Sequence, residues 1–170
     1  QYDLNLKLPD PLLPRNFRYT VVERMQADGK VLIPLQRAEI EALADKIIAA
    51  GFESIAVGLL HSYTNDSHER LIANALHEKM PNAMASLSSQ VSPQMREYER
   101  FNTTIANAYI KPVMKSYLIR LQACLADEGA NCPIFLMHSG GGIISLANAA
   151  EFPVRLVESG PAGGAVFAAD

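Results

Sequence analysis

The run SIAVGLL, residues 54–60, constrains this chain most: it is short, continuously apolar and flanked by helical periods. Such a strand is covered on both faces, whereas a half-wet antiparallel strand would alternate. On its N-terminal side, Ile40, Leu43 and Ile47 share one helical face from Arg37 onward, and Gly51 supplies the stop. On its C-terminal side, Asp66 with Glu69 three residues on forms a capping box. There Leu71, Ala75 and Leu76 give the buried face, and Pro81 ends the helix. A second short strand follows in MASLS. Strands alternating with helices in this order predict an α/β fold with a mostly parallel sheet and right-handed crossovers.

The flanking segments extend this plan. The proline-rich opening, without a period, reads as an extended arm or linker over residues 1–16. YTVVERMQADGKVLIPL sets Asp28 and Gly29 between two β-branched runs, which predicts a β-hairpin with a two-residue turn. Further on, Ser92 and Pro93 read as the N-cap and first residue of a long helix reaching Glu128. Its expected apolar face runs through Phe101, Ile105, Tyr109, Val113, Tyr117, Leu121 and Leu125, and Pro112 predicts a kink or two helices end to end. CPIFLMHS reads as another buried strand, residues 140–142 as a turn, residues 147–150 as a short helix and PVRLVE as a final strand.

With 170 residues, 49% of them hydrophobic and 19% charged, the chain has the apolar content for a single-domain core. Its net charge of -3 with interspersed signs offers no basic footprint for nucleic acid. No stretch approaches the roughly 20 apolar residues that span a bilayer. Cys124 and Cys132 lack metal-ligand spacing and read as two buried, reduced thiols. The absence of a signal-peptide pattern makes the cytoplasm the expected compartment. A first residue that is not methionine, and a last stretch that reads as an uncapped helix, are expected of a piece of a larger protein.

Two glycine loops resemble anion cradles, SGGG at residues 139–142 and SGPAGG at residues 159–164. They make Gly141, Gly142, Gly160, Gly163 and Gly164 candidates for contact with a nucleotide. Neither loop has the lysine of a P-loop or the GxGxxG spacing. In the second loop Pro161 lacks an N–H, and the small residues after it suit close helix packing, which is the preferred reading there. For the first loop both readings stay open. His61, His68 and Glu69 cluster beyond a buried strand, where structural hydrogen bonding is preferred over metal ligation because the spacing matches no metal pattern. His138 and Ser139 are adjacent on a strand and so point to opposite faces, which argues against a nucleophile and base pair. REYERFNTT is unusually polar for a helix start. Arg96 and Arg100 lie one turn apart and could hold a carboxylate or phosphate, or pair with Glu97 and Glu99. Thr103 and Thr104 are poor helix formers that nothing local demands. Arg96, Glu97, Glu99, Arg100 and Thr103 are therefore the candidate cleft-facing residues; no catalytic residue and no metal ligand is assigned.

VERMQADGKVLIPL, AVGLLHSYTNDSHE, SPQMREYERFNTTIANAYIKP, FLMHSGGG and VESGPAGGAVFAA occur in the order found in the hydantoinase A and 5-oxoprolinase family, which the chain resembles from about Arg15 onward. The resemblance implies part of an actin- or hexokinase-like ATPase architecture. It implies an activity in which ATP hydrolysis, with a divalent cation such as Mg, is coupled to opening a cyclic amide. It also implies a B-type partner subunit or domain. The amide carbonyl is a poor electrophile, and phosphoryl transfer to its oxygen creates a leaving group, so such an enzyme needs a phosphate clamp and positioned donors more than a protein nucleophile. Carboxylases of acetone and acetophenone share the A-type architecture and are the alternative, together with a non-catalytic assembly module. On the resemblance, residues 17–157 form an α/β domain and residues 158–170 begin a connecting helix between two lobes. The family's two DxGGT phosphate loops are not in this chain, so the piece alone is expected to be inactive and to bind no cofactor. Two positions depart from the family's usual form, His138 where glutamine is frequent and Gly140 where asparagine commonly precedes two glycines.

Overall fold

The computed structural model describes residues 10–130 and 132–169, so most of the expected N-terminal arm lies outside the described residues. Its described end is a 3-10 turn, Arg15–Phe17. Strands β1 (Arg24–Met25) and β2 (Val31–Ile33) then pair as the expected antiparallel hairpin. The turn holds three residues rather than two. Gln26 N–H donates to the Lys30 carbonyl at 2.8 Å, the Gln26 carbonyl accepts from Gly29 N–H at 3.0 Å, and Gly29 takes φ +84°. A type I turn closed by a left-handed glycine gives this geometry. Asp28 accepts from the Lys30 amide, and that bond, helped by the Lys30 ammonium, holds its carboxyl below the usual carboxylate range.

Helix α1 (Arg37–Ala49), strand β3 (Ser54–Val57), helix α2 (Ser67–Lys79) and strand β4 (Met84–Leu87) follow as a β-α-β unit. β3 and β4 pair in parallel, from Ser54 opposite Met84 to Val57 opposite Leu87. The two faces of this pair differ. Ile55, Val57 and Leu87 join Ile40, Ala44 and Ile47 of α1 and Ile72 and Leu76 of α2 in the apolar core. The alternate positions Ser54, Ala56 and Ser86 are small, and across them lies helix α4 (Glu97–Asp127). Gly58 continues that row just past β3: a methyl there would sit 2.6 Å from the Phe101 ring of α4. The run at residues 54–60 is thus covered on both sides as expected, by an apolar layer on one side and a largely polar one on the other.

Several boundaries differ from the sequence reading. A one-turn helix α3 (Ser88–Val91) intervenes, and Ser92 caps its C-terminal end instead of starting α4. The long helix begins only after Arg96, which at φ +77° cannot be helical. Its expected apolar face is turned outward at Tyr109 and Val113, which are 83% and 71% exposed. The buried positions are Arg100, Thr104, Asn107, Ala108, Lys111 and Leu118. Nor does Pro112 divide the helix. A proline at 112 leaves the Ala108 carbonyl without its N–H partner, and Ser54 Oγ, at the start of β3, donates to that carbonyl at 2.6 Å. On α2, Ile72 and Leu76 are buried whereas Leu71 is exposed.

Beyond α4, β5 (Phe135–Met137) and β6 (Ile143–Ser145) form an antiparallel hairpin rather than a further parallel strand. α5 (Leu146–Glu151) is capped by the Ser145 hydroxyl, which accepts from Asn148 N–H. PVRLVE is a 3-10 turn, Pro153–Leu156, not a strand, and α6 (Ser159–Ala169) ends the described chain. Both cysteines are exposed and unbonded, Cys124 near the C-terminal end of α4, instead of the buried thiols expected. No described helix is long and apolar enough to cross a membrane.

The Ser54 bond generates a test. Ser54→Ala should destabilise the fold by about 1–3 kcal/mol by orphaning a buried carbonyl. In a Pro112→Ala background, where residue 112 regains an N–H, the same change should cost clearly less. Urea unfolding of the four proteins of this cycle reads the difference.

Candidate functional site

Four of the six buried positions of α4 are polar, Arg100, Thr104, Asn107 and Lys111, and they fall at i, i+4, i+7 and i+11, one face of a helix. Each is satisfied. Thr104 Oγ1 donates to the Arg100 carbonyl one turn back. Asn107 Nδ2 donates to Ser86 Oγ of β4 and to the Glu151 carbonyl, while its Oδ1 accepts from Val154 N–H at 3.2 Å. Lys111 Nζ donates to the Ala85 carbonyl and pairs with the Glu151 carboxylate. Asn107 and Lys111 together pin the α5 end to β4 across α4.

At the head of the seam Arg100, 1% exposed, and Glu69, fully buried, close on one residue of the chain beyond β3. Glu69 Oε1 accepts from Leu59 N–H at 3.0 Å, and Arg100 Nη2 donates to the Leu59 carbonyl at 2.9 Å. Ser88 Oγ stands between the two charges, donating to Glu69 at 2.6 Å and accepting from Arg100 Nε at 3.1 Å. Its remaining lone pair leaves Ser62, 3.0 Å away, as the donor to it. Glu69 Oε2 takes the Ser89 amide of α3, and Arg100 Nη1 donates to the Gln94 carbonyl. The guanidinium also lies 5.4 Å from the Tyr63 ring centroid and 5.1 Å from that of Phe101.

The capping box expected at Asp66 and Glu69 is therefore absent. Asp66 holds the N-cap position without a side-chain cap bond, and Asn65 Oδ1 accepts from Ser67 N–H instead. Glu69 is drawn inward because Leu59, Ser88 and Ser89 together offer three donors. His68 is fixed by Glu23 of the hairpin at 2.7 Å, both side chains 6% exposed, and His61 turns the chain at φ +58°. Above this network, beyond the carboxyl ends of β3 and β4, lies an open polar cleft of about 460 Å³. Asp28, Gly29, Tyr63, Thr64, Asp66 and Ser89 are among its lining residues.

The five candidates on the REYER segment separate. Arg100 belongs to the buried network, and Thr103 Oγ1 donates to the Glu99 carbonyl at 2.8 Å. Arg96, Glu97 and Glu99 are exposed at the helix start, next to the left-handed backbone of Arg96. Sequence reasoning missed Glu69 as a clamp, and Asn107 and Lys111 altogether. Their signal was the i, i+4, i+7, i+11 spacing of polar side chains opposite small residues in β3 and β4.

The SGGG loop joins β5 to β6 and closes on His138. Gly140 N–H donates to His138 Nδ1 at 2.9 Å, Gly141 N–H to the His138 carbonyl at 3.0 Å, and Gly141 has φ +81°. A methyl at Gly140 or Gly142 would lie 2.7 Å from the imidazole. In α6, Gly163 approaches the Met137 side chain, whereas open space surrounds Gly160 and Gly164.

A parallel β-α-β unit roofed by a long helix and followed by a glycine-loop hairpin and a small-residue helix defines a mixed α/β lobe, and solved structures share it. The crystal structure of the ATP-dependent caprolactamase from Pseudomonas jessenii superimposes with a TM-score of 0.84 at 32% identity, covering 95% of this chain and 23% of that one. The beta subunit of acetone carboxylase from Xanthobacter autotrophicus is 32% identical over 93% of this chain and 22% of its own length. A nucleotide-free acetone carboxylase structure gives a TM-score of 0.85 at 31% identity over 95% of this chain and 23% of that one. An uncharacterized protein of Methanocaldococcus jannaschii is 37% identical over 99% of this chain and 25% of its own length. The family models for the hydantoinase/oxoprolinase N-terminal region and for hydantoinase/oxoprolinase match residues 1–80 and 100–170. The chain belongs to the hydantoinase/oxoprolinase family. It spans about a quarter of the length of these relatives.

Two outcomes test the site. Arg100→Ala should cost about 3–5 kcal/mol in urea unfolding, because it leaves Glu69 buried without its countercharge. Arg100→Lys should not restore that loss, since an ammonium cannot span three acceptors arranged around a planar fork. Gly140→Ala should destabilise the loop through its clash with the imidazole, and a second change, His138→Ala, should relieve most of that loss in the same unfolding assay.

Proposed function

We propose that this chain is part of an ATP-dependent enzyme that opens a cyclic amide, a lactam or hydantoin ring. The carrying observation is the match to caprolactamase in both sequence and fold over nearly the whole chain. ATP dependence is taken from these relatives, since caprolactamase and acetone carboxylation are both ATP-dependent. A divalent cation belongs to the same reading, as the usual partner of transferring phosphoryl groups. The SGGG loop does not fit a phosphate, because its Gly140 and Gly141 amides are already engaged by His138. The nucleotide is accordingly assigned to parts of the protein beyond the described residues, in an actin-like architecture to which this chain contributes one lobe.

In this reading residues 17–157 form that lobe, residues 158–170 begin the connecting helix, and residues 1–16 are an arm. Arg96, Glu97, Glu99 and Thr103 face the interlobe cleft, with Arg100 behind them holding the segment in place. A B-type subunit completes the enzyme, in keeping with relatives described as a subunit alpha and a beta subunit. The cytoplasm is the proposed compartment. The carboxylase alternative rests on the equally close match to acetone carboxylase.

The test is turnover by the complete polypeptide with its partner subunit. One ADP is expected per ring opened with a lactam or hydantoin, and no ¹³C-bicarbonate should be fixed on acetone; label in the carboxylate of acetoacetate would establish the carboxylase instead. Arg96→Ala should lower kcat at least tenfold with assembly unchanged by size-exclusion chromatography. Lost partner binding would move Arg96 to an assembly surface.

A further inference from the structure

His138 holds the SGGG loop through a bond that only one protonation state permits. The Gly140 amide is a donor, so Nδ1, 2.9 Å away, must present its lone pair. The ring then carries its proton on Nε2. The same ring fills the space beside Gly140 and Gly142, so the loop is moulded on the imidazole from two sides. A proton on Nδ1 would set two donors against each other, and nothing else in the loop accepts from the Gly140 amide.

Among the described residues no carboxylate is paired with the ring. β5 is packed by β6, α5 and α6, and neither β6 nor α6 carries a charged residue among its described positions. On α5 the one charge is Glu151, already paired with Lys111. On the adjoining turn Arg155 is stacked over Phe152 while its carbonyl accepts from Ser139 N–H. Glu158 precedes α6, exposed and at φ +61°. The loop faces α6, since a methyl added at Gly141 would lie 3.7 Å from Val166 Cγ2.

We propose that His138 is a positioning residue whose proton state latches the glycine loop: neutral, it closes the loop through Gly140; protonated, it releases the Gly140 amide and frees the joint between the β5–β6 hairpin and α6. Histidine in general is the side chain whose charge can change between about pH 5 and 8, and that sets the range of the test. The inference stands on the loop geometry and is independent of which reaction the protein performs.

The experiment is ¹⁵N NMR on the full-length polypeptide carrying this chain, labelled at histidine and glycine and followed from pH 8 to pH 5. At pH 8 His138 should be the Nε2–H tautomer and the Gly140 amide should show its hydrogen-bonded shift. As the ring protonates, the closed-to-open ratio should fall by up to about tenfold per pH unit, the limit for a one-proton linkage. His138→Gln, whose amide oxygen accepts without titrating, should keep the Gly140 amide in place across the range. A proton on Nδ1 at pH 8, a Gly140 amide that ignores pH, or an equal response in His138→Gln would each overturn the proposal.

Discussion

Arg100 and Glu69 grip Leu59 from opposite sides, one by its carbonyl and one by its amide, with Ser88 bridging the two charges. Two buried charges are costly unless nearly all their hydrogen-bonding positions are filled. Here Arg100 makes three bonds and Glu69 accepts three, and the acceptors and donors come from the chain just beyond β3, from α3 and from the loop before α4. The pair therefore dictates where four segments end. β3 stops, α3 forms a single turn, the Gln94 segment is held, and α4 begins only beyond it.

The rest of α4 continues the same principle. An apolar helix could slide along a sheet with little penalty, whereas Asn107 and Lys111 accept one register because their partners are the Ser86 hydroxyl and particular backbone groups of β4, α5 and the turn after it. Close approach is made possible by the small row Ser54, Ala56 and Gly58, and Ser54 repairs the carbonyl that Pro112 strands. The opposite face of the β3–β4 pair is ordinary by comparison, a cluster of branched aliphatic side chains from two helices and two strands. One face supplies burial and the other supplies register. The consequence is that the segment preceding α4, with its exposed Arg96, is anchored to a fixed frame through the Arg100 bond to the Gln94 carbonyl.

Much of this was legible in the sequence. The β-α-β unit, the hairpin at Asp28 and Gly29 and α2 between its strands follow from period, turn chemistry and spacing, while the order of the quoted motifs carries the resemblance to the family. The misreadings share a cause. Glu69 looks like a capping residue because Asp66 lies three positions before it, but burial beside three donors outweighs a cap. The aliphatic and aromatic positions of α4 look like its core face, yet the polar set Arg100, Thr104, Asn107 and Lys111 is the buried one, because the strands facing it offer serines and backbone carbonyls. Local propensity could not reveal this; it depends on what β3 and β4 present across the gap. PVRLVE failed as a strand for a similar reason, since Asn107 captures the Val154 amide and draws the segment into a turn.

Native-state hydrogen exchange of the Leu59, Ser89 and Val154 amides in the full-length polypeptide tests the central claim most directly. These three N–H groups have side-chain carboxylate or amide acceptors from Glu69 and Asn107 rather than strand or helix partners. If the buried polar seam orders this lobe, they should exchange as slowly as the core amides of β3 and β4, through global opening alone. Exchange at the rate of exposed loop amides would show that the seam opens independently of the fold, and that α4 is held by something else.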